Sequence, residues 1–178
     1  DALSGQWVAP FVMAATNTKV VQRSHALLGR PWGDDFEYDE ATLTGRGVKG
    51  AAMSSLVAGG LAGFTLATAF GPTRRLAGRM LPDPGEGPSA DAQASGYFDI
   101  RFHGRTRSGR TITTKVTGDR DPGYGSTAKM LTEAALAFGD VARSSVPGGF
   151  WTPATMFGDL LIERLVAHAG LTFEVTSI

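Results

Sequence analysis

A segment without a single charged residue, from Gly50 to Thr73, constrains the fold of this chain more than any other feature. It is rich in Ala and Gly, and we predict that it forms one long helix, with Pro72 opening a further turn. About 20 apolar residues are enough to cross a bilayer, and Gly59 and Gly63 have the spacing that lets membrane helices pack closely. The high content of small and hydroxyl side chains weakens the hydrophobic drive, however.

Three interpretations of this segment remain open: a buried or subunit-interface helix, a helix at a membrane surface, and a true membrane span. Lys49 precedes the segment and three arginines follow it, which suits an interfacial anchor as well as a buried helix. Large exposed apolar surfaces are rare on soluble monomers and usually mark contact sites. We therefore expect the helix to pack against a second subunit or a membrane, through Leu56, Leu61, Phe64 and Phe70.

The bulk composition excludes several classes of protein. A length of 178 residues fits one domain. Seventeen basic residues balance seventeen acidic ones, whereas nucleic-acid binders usually carry a basic excess, so we expect no nucleic-acid partner. The absence of cysteine excludes disulfides and zinc–thiolate sites. His25, His103 and His168 are too far apart in sequence for metal-ligand spacing, so we expect no metal site.

The rest of the chain alternates between helical and strand patterns, with turns rich in Gly and Pro between them. This order predicts an α+β fold, in which helices pack on a mixed or antiparallel sheet beside the long apolar helix. Thr152 and Pro153 have the identities expected at an N-cap and at the first helical position. The predicted elements are a helix over Trp7–Leu28, a strand over Phe36–Thr44, a loop over Leu81–Ser95, a hairpin over Gly96–Thr117, a helix over Ser126–Val141, a helix from Pro153 to about His168, and a strand over Leu171–Ile178.

Two glycine motifs have the letters of dinucleotide-binding fingerprints. Gly45–Gly50 matches G-x-G-x-x-G, and Gly123–Ala128 matches its variant that ends in Ala. A working fingerprint follows a buried, unbroken apolar strand and precedes an acid about 20 residues later. Both preceding segments are half polar, and the first acid after Gly45 is Asp83. We therefore interpret both motifs as turns before helices and assign no cofactor-binding residue.

The loop before the second motif is the candidate ligand site. It brings charges, an aromatic ring and glycines to a helix entrance, where free N–H groups can hold an anionic or carbonyl oxygen. A solvated loop capped by Ser126 is the alternative. The candidate substrate-binding residues are Arg120, Asp121, Tyr124 and Ser126.

Five blocks of sequence carry a resemblance to a known family: Ala14–Asn17, Val20–Ser24, Asp121–Leu131, Gly148–Ala154 and Gly158–Val175. In this order they resemble the C-terminal half of the saccharopine dehydrogenase-like oxidoreductases, over nearly the whole chain. Within that family the similarity is to the actinobacterial subgroup named trans-acting enoyl reductases.

The resemblance implies that residues 1–178 are a single C-terminal substrate and assembly domain. In the family an N-terminal Rossmann domain holds NADP or NAD, and that domain is absent from this chain. The resemblance therefore implies a lipid-like substrate, a partner in the chain's own Rossmann half, a homodimer, and no activity of this chain alone. It assigns no catalytic residue. The expected location is the cytoplasm, with peripheral contact to the inner membrane.

Two other functions are compatible with parts of the pattern. A non-catalytic protein that binds a membrane or a partner would keep the fold without the chemistry. A self-contained hydrolase has little support, because no G-x-S-x-G elbow occurs and the histidines lack obvious partners. The first residues include no initiator Met and no signal sequence, so we expect the chain to be part of a longer protein.

Overall fold

A computed structural model describes residues 1–79, 85–141 and 147–177 of the chain. Helices and two small antiparallel sheets confirm the α+β class. Contacts divide the chain into two compact units, the first made of Asp1–His25 and Arg30–Glu86, the second of Ala26–Gly29 and Gly87–Ile178. The assignment of the whole chain to one C-terminal domain stays a prediction.

The first unit is built around a two-stranded antiparallel sheet of β1 (Trp7–Pro10) and β2 (Ala41–Gly45). Helix α1 (Ala14–Leu27) lies between the two strands in sequence. Two further helices follow β2, namely α2 (Gly47–Ala69) and α3 (Gly71–Gly78).

The predicted first helix begins too early. Residues Trp7–Pro10 form a strand, and α1 starts only at Ala14. Pro10 has no N–H to donate, which an edge strand tolerates and a helix interior does not. The predicted end is confirmed, because Gly29 takes a φ of 77° and the N–H of Arg30 donates to the carbonyl of His25 at 2.9 Å.

The predicted strand over Phe36–Thr44 is too long, since only Ala41–Gly45 pairs with β1. Phe36 instead packs its ring on those of His25 and Trp32, with both pairs of centroids 4.9 Å apart. This aromatic cluster removes Phe36 from the alternating pattern that a strand requires.

The uncharged segment forms two helices rather than one. Phe70 separates α2 from α3 with an extended backbone at φ −102° and ψ 132°. Pro72 explains the break, because its ring would clash with the carbonyl one turn earlier in a continuous helix. The long apolar helix itself is confirmed as α2, and Pro72 does open a further helical segment.

The second unit is a three-stranded antiparallel sheet with helices on one face, in the strand order β3-β4-β5. The hairpin and the last strand follow the predictions closely, although Ile178 lies outside the described residues. The elements of this unit are α4 (Ala90–Ser95), β3 (Phe98–Arg105), β4 (Thr111–Gly118), α5 (Gly125–Asp140), α6 (Pro153–Phe157), α7 (Asp159–His168) and β5 (Leu171–Ser177).

Two predictions for this unit need correction. The predicted loop over Leu81–Ser95 contains α4, which Ser89 caps by accepting the Ala92 N–H at 3.2 Å; residues 81–84 lie outside the described range. The predicted helix from Pro153 to His168 is broken at Gly158, whose φ of 52° is outside the helical range. Both differences arise from short local signals, a serine cap and a glycine, inside longer patterns.

The core of the second unit lies where α7 meets one end of the sheet. Leu165, Ala169 and Leu171 are buried together, and Phe98 and Val116 pack against them. An ion-pair cluster joins the two main helices, since Arg164 of α7 lies 2.9 Å from both Glu133 and Asp140 of α5.

Candidate functional site

The sheet of the second unit has one apolar and one polar face, because successive side chains of a strand point to opposite sides. The strand register aligns the apolar face in three rows across β3, β4 and β5. These rows are Phe98–Gly118–Leu171, Ile100–Val116–Phe173 and Phe102–Thr114–Val175. The opposite face carries charged and hydroxyl side chains, among them Asp99, Arg101, Lys115, Thr172 and Glu174.

The helices of the second unit cover this apolar face unevenly. The first row is closed, since Leu171 is 4% exposed and the ring of Phe98 lies over Gly118 where any Cβ would clash. Ile100 in the second row remains 47% exposed, and Val175 in the third row is 60% exposed. The apolar face is therefore open at the end away from α7.

An open groove of about 300 Å³ follows this transition from covered to open sheet. All of its lining side chains are apolar: Phe98, Ile100, Phe102, Val116, Pro122, Met130, Leu165, Leu171 and Phe173. Such a groove can bind a hydrocarbon chain through the hydrophobic effect but supplies no acid, base or nucleophile.

The predicted ligand loop borders the groove through Pro122, and the carboxylate of its Asp121 is hydrogen-bonded within the loop. The Asp121 carboxylate accepts the N–H of Tyr124 at 2.7 Å and that of Gly125 at 3.3 Å. These hydrogen bonds, and above all the one from the Tyr124 N–H, stabilise the ionised carboxylate and hold the pKa of Asp121 below its ordinary value. Asp121 thus occupies donors that an anionic ligand would otherwise use.

The other predicted loop residues divide into one structural residue and two exposed ones. Ser126 is fully buried, and its hydroxyl donates to the Arg120 carbonyl at 3.1 Å. The side chains of Arg120 and Tyr124 are exposed. The structure therefore brings all four residues, including Asp121, to one helix entrance. Their role in substrate binding stays a prediction.

The first glycine motif lies at the join between β2 and α2, and its third glycine has a packing role. A Cβ on Gly50 would come 2.4 Å from the Gly45 carbonyl oxygen, so the helix can approach the strand only with glycine there. β2 belongs to a two-stranded antiparallel sheet and is mostly exposed, unlike the buried parallel strand of a dinucleotide fold. These residues do not fit a dinucleotide site, and the expectation about the cofactor stays a prediction.

Helix α2 is the second large apolar feature. Among its 23 residues, all of them described, Gly50 alone is buried. Leu56 is 69% exposed, and Phe64 and Phe70 are also exposed, whereas Leu61 is partly covered. By length and composition α2 could cross a membrane. Within the described residues no group of His, Cys, Asp or Glu has a metal-binding arrangement.

Sequence reasoning missed the groove, although each strand carried a signal. The alternation of Phe98, Ile100 and Phe102 was visible, as were Phe173 and Val175. The sequence alone did not reveal the strand register, which places β5 beside β4 and aligns these residues in rows.

Comparison with curated proteins finds relatives that share almost the whole chain. A Mycobacterium tuberculosis protein named as a trans-acting enoyl reductase is 40% identical over 181 residues, which cover 99% of this chain and 43% of that protein. Trans-acting enoyl reductases of Mycobacterium ulcerans and Mycobacterium bovis are 34% and 33% identical, with the same coverage. No protein-family model and no solved structure matches the chain.

The chain thus spans less than half the length of the relatives that it matches. It is related by sequence, over nearly all of its own length, to a part of the mycobacterial trans-acting enoyl reductases.

Proposed function

We propose that this chain is the substrate-side and assembly part of an NAD(P)-dependent enoyl reductase of the saccharopine dehydrogenase-like type. An enoyl reductase adds a hydride and a proton across a carbon–carbon double bond, and the hydride comes from the reduced nicotinamide. On this proposal a Rossmann domain outside residues 1–178 holds the dinucleotide, and the chain alone is inactive. The names of the relatives support the reaction class.

The apolar groove is the observation that supports a lipid-like substrate. Ligand sites are usually concave and mostly apolar, with a few polar groups that fix orientation. The groove supplies the apolar part, and the adjoining loop carries Arg120 and Tyr124 with exposed side chains. On this proposal the groove holds the hydrocarbon chain of the substrate, and the loop contacts its polar end.

A fluorescent fatty acid that brightens in apolar surroundings tests the groove directly with this chain. Replacing Ile100 by Asn puts an amide into the groove, and we expect about tenfold weaker binding of the probe. Arg101→Gln is the matched control, because Arg101 is the neighbouring residue on the polar face of the same strand. Equal affinities of the Ile100→Asn variant and the parent chain would contradict the groove assignment.

A chimera tests the reaction class. This chain would replace the matching part of the Mycobacterium tuberculosis relative, which is 40% identical to it. We expect the chimera to oxidise NADPH or NADH in the presence of a 2-enoyl thioester, with formation of the saturated thioester. A folded chimera without this activity, made beside an active parent relative, would contradict the proposed function.

A non-catalytic protein that binds a membrane or a partner is the second candidate, and the exposed surface of α2 favours it. The same two experiments separate the candidates. A chain that binds the fatty-acid probe while its folded chimera reduces no enoyl thioester would favour the binding protein. The homodimer is part of the assembly role proposed here, and sedimentation velocity of the chain tests it.

A further inference from the structure

Helix α2 presents apolar side chains to solvent over most of its length. Met53, Leu56 and Leu66 are 49%, 69% and 64% exposed. At 1.5 Å per residue the 23 residues of α2 extend over about 35 Å. Surfaces of this kind on soluble proteins mark a contact with another molecule.

Both ends of this apolar surface are cationic. No acidic residue occurs between Glu40 and Asp83. Arg46 and Lys49 lie at the start of α2, and three exposed arginines follow its end on or directly after α3. These are Arg74, Arg75 and Arg79.

The structure assigns α2 and α3 as a docking surface for an anionic lipid bilayer: the exposed apolar side chains of α2 enter the acyl region, and the flanking cations contact the lipid phosphates. A bilayer with anionic lipids offers an apolar layer bordered by negative charge, which matches this order of side chains. Basic side chains near such a surface extend their charged ends to the head groups while their stems stay in the apolar layer.

Two threonine hydroxyls in the second half of α2 are hydrogen-bonded within the helix, which fits an apolar environment. Lipid offers no partner to an exposed polar group, so such groups must be satisfied within the protein. The Thr65 hydroxyl donates to the Leu61 carbonyl at 2.8 Å, and the Thr68 hydroxyl donates to the Thr65 carbonyl at 2.9 Å.

Packing at the start of α2 favours a helix along the membrane surface over one that crosses it. Gly50 lies tightly against Gly45, and the Ser54 hydroxyl donates to the Val8 carbonyl at 2.5 Å. A full span would draw these turns into the bilayer and away from β1 and β2. With α2 along the surface, both cationic ends reach head groups of the same leaflet.

A second copy of the chain fits this surface less well than lipid does. In antiparallel pairing, Lys49 of one copy would face the arginines that follow α2 in the other copy. In parallel pairing, like ends of the helices would meet. Because both ends are cationic, either arrangement brings like charges together, which is unfavourable.

Co-sedimentation of the chain with vesicles tests the apolar part. The vesicles contain phosphatidylcholine, alone or mixed with anionic phosphatidylglycerol. Replacing Leu56 and Leu66 together by Asp should weaken binding to the mixed vesicles by on the order of a hundredfold or more. The control replaces Leu131 and Leu136 of α5, which are 70% and 54% exposed, by Asp and should sediment like the parent chain.

A charge variant tests the part played by the arginines. The preference is the ratio of the affinity for mixed vesicles to the affinity for phosphatidylcholine vesicles. Replacing Arg74, Arg75 and Arg79 by Gln should lower this ratio by on the order of a hundredfold. Binding to phosphatidylcholine alone should be unchanged. The same change in the hairpin, at Arg105, Arg107 and Arg110, should keep the preference.

A tryptophan probe keeps the test decisive if the Asp variants do not fold. Phe64→Trp should be quenched by lipids brominated in their acyl chains, whereas Tyr97→Trp in the second unit should show no quenching beyond that of the parent chain. The proposal is overturned if the parent chain ignores anionic vesicles, or if the probe at residue 64 is not quenched. A third outcome also overturns it: the parent chain is a dimer that does not bind vesicles, and replacing Leu56 and Leu66 by Asp dissociates this dimer.

Discussion

Gly50 lies where α2 passes the last residue of β2. A methyl group at residue 50 would come 2.4 Å from the Gly45 carbonyl oxygen and 3.2 Å from Cδ1 of Trp7. The oxygen belongs to the backbone, so it cannot move without disturbing the join between strand and helix. We expect Gly50→Ala to lower the free energy of unfolding in urea by about 1–3 kcal/mol, as overpacking usually does.

Gly60 on the same helix provides the control for this prediction. Nothing lies within 4 Å of a Cβ built there. Because Ala favours a helix over Gly, Gly60→Ala should raise stability by about 0.5–1 kcal/mol. A loss of the same size at Gly60 and Gly50 would show that the close contact with Gly45 is not the cause.

The Asp121 carboxylate should give the chain part of its stability above the acid range. Its pKa is lowered in the folded protein, chiefly by the Tyr124 N–H. A lowered pKa stabilises the fold above the ordinary value of about 3.9, and this contribution is lost as the pH falls through the folded pKa. Asp121→Asn should therefore lower the melting temperature at pH 7, and the difference from the parent chain should shrink at lower pH. A difference that stays constant down to pH 3 would contradict this origin.

The N-terminus of α6 is closed by reciprocal hydrogen bonds. The Thr152 hydroxyl accepts the Thr155 N–H at 3.4 Å, and the Thr155 hydroxyl accepts the Thr152 N–H at 3.1 Å. Pro153 follows at the first helical position, as the sequence predicted. Thr152→Ala should cost about 1 kcal/mol in the free energy of unfolding. Thr152→Ser keeps the hydroxyl and should stay close to the parent chain; an equal loss in both variants would exclude the cap as the cause.

Elements with local signals were predictable from the sequence. The hairpin, the cap at Thr152 and the helix end at Gly170 each depend on a few neighbouring residues. The strand Trp7–Pro10 was missed because its partner, β2, lies some 30 residues later in the chain, and this pairing overrides the helical pattern.

Only the loop of the candidate site was predictable from the sequence; the groove was not. The loop around Asp121 could be identified from its charges and glycines, but not that Asp121 would satisfy the helix N–H groups itself. The groove depends on β5 pairing with β4, in which Val116 lies opposite Phe173. A pairing of this sequence separation is set by the whole second unit, and a single sequence does not determine its register.

At the scale of the whole molecule, the proposals made above assign roles to two apolar surfaces of the chain. The groove lies in the second unit and α2 in the first. The relatives are more than twice as long as this chain. On the proposals made above, the groove binds the substrate chain and α2 contacts a membrane, while a part of the protein outside residues 1–178 holds the hydride donor.

Dinucleotide binding by the chain alone and by the chimera tests this division of labour. We expect no measurable heat when NADPH or NADH is titrated at micromolar concentration into the chain. The helix N–H groups of Tyr124 and Gly125 are occupied by Asp121, and the Gly45–Gly50 junction follows an exposed antiparallel strand. The chimera with the remainder of the Mycobacterium tuberculosis relative should bind one of the two dinucleotides. Micromolar binding by the chain alone would place the cofactor site within residues 1–178, whereas a folded chimera that binds neither would remove the dinucleotide from the proposal.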